Sequence, residues 1–365
     1  MTLSRDTKTL ITLVLLLLAC GLIVLSSAGV VDAQRKFNFS QYYLVNQLKS
    51  GVLVGVVLFF IAFKIGYKFW RKLALPLLLF SLLLMVLVFV PALGHSAKGA
   101  TRWIGLWGFN FQPAEILKFS LIVYLAAWFS QRRESSHRGW SYSVLPFLVV
   151  LAFIVLMLAL QPDIGTLGIV IAIAIALYWF AGAELKHFGA LILVLIVGFF
   201  LLAHFSPYRY NRLLAFANPQ SDTHGIAYHI NQAKIAIGRG GVFGVGFGQS
   251  QQKAGFLPEP VGDSIFAIAV EELGLVGAGV LIALFLALAW KLIGIARNAD
   301  DKFAQLYVLG VMVWILGQAI INMAAISGLL PLTGIPLPFV SYGGTALATL
   351  LGSLGVVANI ANESA

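Results

Sequence analysis

Apolar runs of close to 20 residues recur from residue 10 almost to the C-terminus, separated by short polar or glycine- and proline-bearing turns. A helix rises 1.5 Å per residue, so about 20 apolar residues cross the ~30 Å hydrocarbon core of a bilayer. Ten runs meet that length: residues 10–29, 46–65, 73–93, 113–130, 142–160, 164–182, 188–205, 264–290, 304–326 and 339–360. The pattern predicts an all-α integral membrane protein, a polytopic bundle of about ten transmembrane helices. It predicts one domain over residues 1–365, with residues 205–262 forming a large extracytoplasmic loop between helices 7 and 8. No internal repeat or low-complexity tract stands out, which speaks against an inverted-repeat transporter.

Composition agrees with the pattern. Of 365 residues, 60% are hydrophobic and 10% charged, and the mean hydropathy is +0.94; soluble domains carry roughly a quarter charged residues. The first run follows Arg5 and Lys8 and ends in Ser26-Ser27-Ala28-Gly29, much as a secretory signal does, but the many later spans argue for a retained helix. Cys20, the only cysteine, lies inside that run, so neither an intramolecular disulfide nor a cysteine-based metal site can form.

The net charge of +10 changes the picture only through its placement. Most basic residues flank apolar spans, and none cluster with aromatics on a polar surface, so topology explains them better than nucleic acid. With both termini cytoplasmic, thirteen basic residues fall in short cytoplasmic segments: Arg5, Lys8, Lys64, Lys68, Arg71, Lys72, Arg132, Arg133, Arg138, Lys186, Lys291, Arg297 and Lys302. Short outer segments hold Arg35, Lys36, Lys49, Lys98 and Arg102. The positive-inside rule therefore predicts cytoplasmic termini and gathers the candidate chemistry on the outer face.

Several polar constellations lie at that face. Gly262-Asp263-Ser264 follows Leu257-Pro258-Glu259-Pro260 at the mouth of the eighth span, where Asp263 suits either a helix N-cap or a catalytic carboxylate. Glu271 and Glu272 fall inside the same apolar segment, and eight residues of helix bring Glu271 to within about 80° of Asp263. Intramembrane carboxylates usually face a cavity or a structural hydrogen bond. Glu115 and Lys118, three residues apart on the fourth span, can pair. Lys98-Gly99-Ala100-Thr101-Arg102-Trp103 suits an interfacial anchor or an anionic headgroup, and Asp163 a turn, a cap or the wall of a polar site. Residues 205–262 contain Arg209 and Arg212 and a glycine-dense stretch, residues 238–248. That stretch fails as a nucleotide fingerprint for want of a βαβ context and suggests a substrate-shaped loop.

Together with Phe111-Gln112-Pro113-Ala114-Glu115-Ile116-Leu117-Lys118, Gln161-Pro162-Asp163-Ile164-Gly165-Thr166 and Pro338-Phe339-Val340-Ser341-Tyr342-Gly343-Gly344, these motifs occur in an order that resembles the SEDS family of shape, elongation, division and sporulation proteins, over nearly the whole chain. The resemblance implies a ten-helix peptidoglycan glycosyltransferase of the bacterial cytoplasmic membrane, which joins lipid II into a nascent glycan strand beside a class B penicillin-binding protein. It implies that Asp263 is the essential carboxylate. Many relatives carry threonine where this chain has Gly262; the Pro258–Ser264 form leans toward the FtsW-like division branch over the RodA-like elongation branch.

The chemistry asks for a base and for positive charge against a leaving diphosphate. Asp263 is the expected base. Lys98, Arg102, Arg209 and Arg212 are the expected diphosphate partners, with a divalent cation, Mg2+ or Mn2+, as alternative or additional counter-charge. The sequence has no dedicated metal cage and implies no organic cofactor. Glu115, Lys118, Asp163 and Glu271 would shape the cavity, and membrane lipids would surround the helices. A lipid II flippase and a non-catalytic scaffold for a penicillin-binding protein are the rival readings.

Overall fold

In lipid every backbone polar group must be satisfied internally, so apolar runs of this length are expected to form helices. The computed structural model describes residues 3–97, 100–106, 109–131, 140–182 and 225–364, with the single positions 189 and 216. Helix α1 spans Arg5–Ala28 and is followed by the short α2, Val30–Phe37. Helix α3, Tyr42–Lys64, contains a π-helical stretch at Gln47–Leu53. Next come α4 (Tyr67–Lys72), α5 (Ala74–Leu87), α6 (Pro113–Gln131), α7 (Trp140–Leu160) and α8 (Ile164–Phe180). The remaining helices are α9 (Ile226–Gly240), α10 (Ile265–Asn298), α11 (Lys302–Ile326) and α12 (Gly344–Glu363).

Nine of the ten predicted spans thus have a helical counterpart, and the seventh, at 188–205, lies outside the described residues. Two features depart from the expectation. Residues 94–111 form a small antiparallel sheet of β1 (Gly94–Ala97), β2 (Ala100–Leu106) and β3 (Phe109–Phe111), in the order β1-β2-β3, with Ile104 opposite both Gly94 and Phe111. Residues 205–262 are not wholly loop, since α9 occupies 226–240.

Helix α6 is largely enclosed, and α11 and α12 are mostly buried, whereas α3, α5, and the distal part of α10 present Leu53, Val57, Phe60, Leu79, Leu83, Leu275 and Leu286 outward. Such an apolar exterior suits lipid. Helix pairing in lipid favours small residues that let backbones approach. At the α3–α12 contact a Cβ on Gly355 would lie 2.4 Å from the Phe59 carbonyl oxygen. The two chain ends meet at one end of the bundle, where the Ser4 amide donates to Asn362 Oδ1 at 3.0 Å and Lys291 pairs with Asp6 at 2.5 Å. The opposite end carries α2, the sheet, α9 and the start of α10.

Candidate active site

Asp263 sits half-buried on the turn that leads into α10. Pro258 and Pro260 fix the chain's approach, and Glu259 adopts φ 52°, a left-handed conformation that bends it sharply. The Glu259 carbonyl accepts from the Gly262 and Ser264 amides at 3.0 and 3.3 Å. From the other side, Asn322 on α11 donates to the Asp263 carbonyl at 2.9 Å, and Ser341 Oγ donates to the Gly262 carbonyl at 2.6 Å. The Tyr342 amide donates to the Val261 carbonyl at 2.8 Å. The N-cap position belongs to Ser264, whose hydroxyl makes no cap bond; it donates to the Pro258 carbonyl at 2.7 Å and lies 2.5 Å from His229 Nε2 on α9. The backbone around Asp263 is therefore fixed from three elements.

One turn from Asn322 on α11, Gln318 connects this turn to the predicted ion pair. Lys118 Nζ lies 2.9 Å from both Glu115 carboxylate oxygens and donates to Gln318 Oε1 at 3.0 Å. Gln318 and Asn322 donate to the adjacent carbonyls of Pro336 and Ile335, at 2.8 and 2.7 Å. Lys118 also stands 4.9 Å from the Trp314 ring centre. Both members of the pair are buried, and Glu115 lines a cavity of about 20 Å³ with Trp314, Gln318, Leu337 and Ser341. That volume holds about one water. The pair is formed, then, and hydrogen bonds to the adjacent Pro336 and Ile335 carbonyls link it, through that stretch of backbone and Asn322, to the Asp263 carbonyl.

Glu271 has a different setting from the one its spacing suggested. Helix α10 breaks at Gly274, where φ is 68° and ψ −169°. The glycine-dense segment lies against the break: Val245 and Gly246 amides donate to the Glu271 and Glu272 carbonyls at 2.9 and 3.1 Å, and Leu275 and Val276 amides donate back to the Gly241 and Val242 carbonyls at 3.0 and 3.1 Å. A Cβ on Gly244, whose φ is +82°, would fall 2.1 Å from the Glu272 carbonyl oxygen, so the close approach requires glycine. The glycines thus receive the chain's own helix rather than a ligand.

Around this junction Glu271 accepts from Ser250 Oγ and from the Gln251 amide, and lies 3.4 Å from Arg239. Glu272 accepts from Ser27 Oγ and Lys253 Nζ, both at 2.7 Å. Both carboxylates are consumed in tying α1, α9 and the glycine segment to α10, about two turns from Asp263. Residues 275–298 of α10 amount to roughly 36 Å of helix, enough to cross the hydrocarbon by themselves.

Arg102 is also committed internally. Its Nε donates to the Gln161 carbonyl at 3.0 Å, Nη2 donates to the Pro162 carbonyl, and Nη1 stands 4.0 Å from Asp163. Asp163 caps α8 by accepting from the Thr166 amide at 3.1 Å and hydroxyl at 2.9 Å, and accepts from Gln112 at 3.2 Å. Arg102 is thereby a clamp on the α7–α8 turn, a role that competes with holding a diphosphate. Lys98, Arg209 and Arg212 lie outside the described residues. Among the described residues no three His, Cys, Asp or Glu side chains converge as metal donors. They do not fit a divalent cation held by protein ligands alone.

Sequence reasoning missed His229, Gln318, Asn322 and Lys253. Each is a single polar residue without a local motif, and only the packing of distant helices gives it a role. Asn322 and Gln318 carry one retrospective signal: they recur at i and i+4 on an otherwise apolar span.

These features define a multi-pass helical membrane protein with a fixed, carboxylate-bearing turn at one end of its bundle. The chain belongs to the cell cycle protein family that groups FtsW, RodA and SpoVE, whose profile matches residues 7–365. It is similar to the stage V sporulation protein E of Bacillus subtilis, 37% identical over 97% of this chain and 96% of that protein. It is also similar to the probable peptidoglycan glycosyltransferase FtsW of Trichlorobacter lovleyi, 39% identical over 96% of this chain and 92% of the relative. Among solved structures, a chain from a peptidoglycan synthase complex that coordinates polymerization and crosslinking superposes with a TM-score of 0.80 at 26% identity, covering 97% of each chain. The rod shape determining protein RodA of Thermus thermophilus superposes at 0.71 and 26% identity, covering 97% of this chain and 96% of that one.

Proposed function

We propose that the protein is a peptidoglycan glycosyltransferase that polymerises lipid II at the outer face of the bacterial cytoplasmic membrane, with Asp263 as general base. A sugar hydroxyl of one lipid II attacks the anomeric carbon of another. The new glycosidic C–O bond forms as the C–O bond to the diphosphate breaks, the hydroxyl proton passes to the Asp263 carboxylate, and undecaprenyl pyrophosphate leaves with the bonding electrons. The observation that carries this reading is the half-buried Asp263 on a turn held by Asn322, Ser341 and Tyr342 from elements distant in sequence. Fixing a base in place before substrate arrives lowers the reorganisation needed in the transition state.

The Glu115–Lys118 pair supports the turn through Gln318 and α11. Lys98, Arg209 and Arg212 remain the cations proposed to face the diphosphate, while Arg102 and Asp163 brace the neighbouring wall. The partner is a class B penicillin-binding protein, as the synthase-complex relative suggests for the crosslinking half of wall assembly. Both termini are cytoplasmic, because the chain-end face carries Arg5, Lys8, Lys64, Lys68, Arg71, Lys72 and Lys291.

The test is Asp263→Asn. Asparagine keeps the size and leaves the backbone bonds to Asn322 and Ser341 available, but it cannot accept the proton. General-base catalysis contributes about 10²–10⁴-fold, or roughly 3–5 kcal/mol of barrier. Purified protein given fluorescent lipid II with penicillin present should yield glycan ladders, and Asp263→Asn should lose nearly all of them at unchanged thermal stability. A folded variant that keeps more than about a tenth of the activity removes Asp263 as principal base. Lipid exchange between leaflets without ladders would instead favour a flippase, and neither activity a scaffold.

A further inference from the structure

While its glycines seat the chain against α10, the glycine-dense segment turns its other side chains outward. Val242 and Phe247 are more than half exposed, and Phe243, at 83%, is the most exposed large apolar side chain among the described residues. Contiguous apolar patches of this kind mark interaction sites, whereas single exposed apolar residues are ordinary. All nine residues from Gly240 to Gly248 are glycine, valine or phenylalanine, so the patch holds no polar side chain. A protein-docking surface has a polar rim and about one hydrogen bond per 100–200 Å². The cation at the edge of this patch, Arg239, is already committed to Glu271 and Gln251.

Backbone bonds fix the height of the patch along α10. The Gly241 and Val242 carbonyls accept from the Leu275 and Val276 amides at 3.0 and 3.1 Å. Leu275 and Val276 are themselves exposed, and they open a stripe of exposed apolar side chains that runs through Val280 and Leu286 to Trp290. Lys291 follows and pairs with Asp6 at the chain-end face. An exposed tryptophan beside a cation suits the membrane–water interface. Residues 275–290 rise about 23 Å along the second piece of α10. With a hydrocarbon core ~30 Å thick and Trp290 at one boundary, the Leu275 level falls about 7 Å inside the other, and tilting the helix moves it deeper. Interfacial apolar segments bury themselves about 5–10 Å into that boundary.

We propose that residues 242–247 are a membrane-inserted wedge whose Val242, Phe243 and Phe247 side chains lie among phospholipid acyl chains, in the leaflet on the Asp263 side of the bundle. That is the outer leaflet in the proposed orientation. Continuity selects lipid as the occupant, because the wedge is bonded to the first exposed turn of an apolar stripe long enough to cross the bilayer. The backbone suits the depth. Polar groups inside a membrane need internal partners, and the Gly244, Val245 and Gly246 amides donate to the Gly240, Glu271 and Glu272 carbonyls, while Leu275 and Val276 satisfy the carbonyls of Gly241 and Val242. Insertion fixes the height of the junction from which residues 265–273 lead back to the Asp263 turn. It follows from the fold and does not depend on polymerase activity.

Collision accessibility of nitroxide labels tests it. Cys20 is the only cysteine, so single sites can be made in a Cys20→Ser background: Phe243→Cys, Phe247→Cys and Gln249→Cys in the segment, and Val280→Cys in the span. Full-length protein is placed, without any partner, in nanodiscs of phosphatidylethanolamine and phosphatidylglycerol. At Phe243 and Phe247 dissolved oxygen should relax the label more than a water-soluble nickel chelate does, as at Val280, and Gln249 should show the reverse. Both phenylalanines are exposed, so their replacement leaves the core packed, and either site alone reads the patch. Nickel relaxation exceeding oxygen at the phenylalanine positions overturns the proposal. Nickel access that disappears only on adding a class B penicillin-binding protein would make the patch a protein-docking surface and overturn it too. The readout uses no lipid II, so an inserted wedge on a protein that forms no glycan would sink the polymerase reading alone, and a water-exposed loop on an active polymerase would sink only the wedge.

Discussion

At the scale of single residues, the interior of the bundle depends on a few polar side chains whose partners come from other helices. Lys118 is the clearest. It is a fully buried cation held by Glu115, Gln318 and the Trp314 face, so removing it strands a buried carboxylate. Breaking such a pair costs about 3–5 kcal/mol, whereas replacing both members with apolar groups is often tolerated. Lys118→Ala is therefore expected to lower the melting temperature in detergent markedly, and adding Glu115→Leu should recover part of the loss. Matching melting curves for wild type and Lys118→Ala would show that the pair bears no load. The pair was legible in sequence because i, i+3 spacing is a local property. Asp263 was legible as a candidate because two prolines and a span boundary surround it. Its supports were not: Asn322 and Ser341 lie 59 and 78 residues downstream, and no local rule connects them to the turn.

At the scale of elements, hydropathy located nine spans but drew α10 as one continuous rod. Hydropathy averages over side chains and does not register a backbone break at Leu273-Gly274, where the lost helical bonds are replaced by bonds to residues 241–246. The same averaging hid α9, whose polar and apolar residues alternate around the helix and which ends in the glycine-dense stretch. The replacement bonds make a sharp prediction. Gly274 has φ +68°, and an added Cβ would meet the Val242 carbonyl oxygen at 2.3 Å, while Gly279 in the same helix has open space around it. Gly274→Ala should destabilise by at least about 1–3 kcal/mol, from backbone strain before any clash is counted. Gly279→Ala should be neutral or slightly stabilising. If the two variants melt alike, the junction does not hold α10 in two pieces. Because the short first piece, residues 265–273, starts two residues after Asp263, Gly274→Ala is also expected to impair polymerisation beyond its effect on stability.

At the scale of the whole molecule, the two ends of the bundle are chemically unequal, and the proposed orientation rests on this asymmetry. The end where the chain termini meet holds paired charges such as Lys291–Asp6 and Arg71–Asp301, 2.5 and 4.0 Å apart, and, among the described residues, most of the short-segment lysines and arginines. The other end holds the Asp263 turn and the exposed glycine segment. At the first of these ends the Ser4 amide meets Asn362 Oδ1, so the two chain termini lie on the same side of the bundle. The proposed orientation, with both termini cytoplasmic, rests on charge: moving Lys and Arg across the membrane during insertion is unfavourable, so short basic segments favour the cytoplasmic side. Single cysteines at the exposed positions Lys68 and Gln249, in a Cys20→Ser background, separate the two possibilities. In intact cells an impermeant maleimide should label Gln249→Cys and spare Lys68→Cys until the membrane is permeabilised. The reverse pattern would place Asp263 in the cytoplasm, where a growing glycan strand could not join the wall, and would overturn the outward-facing polymerase whatever the activity of the purified protein.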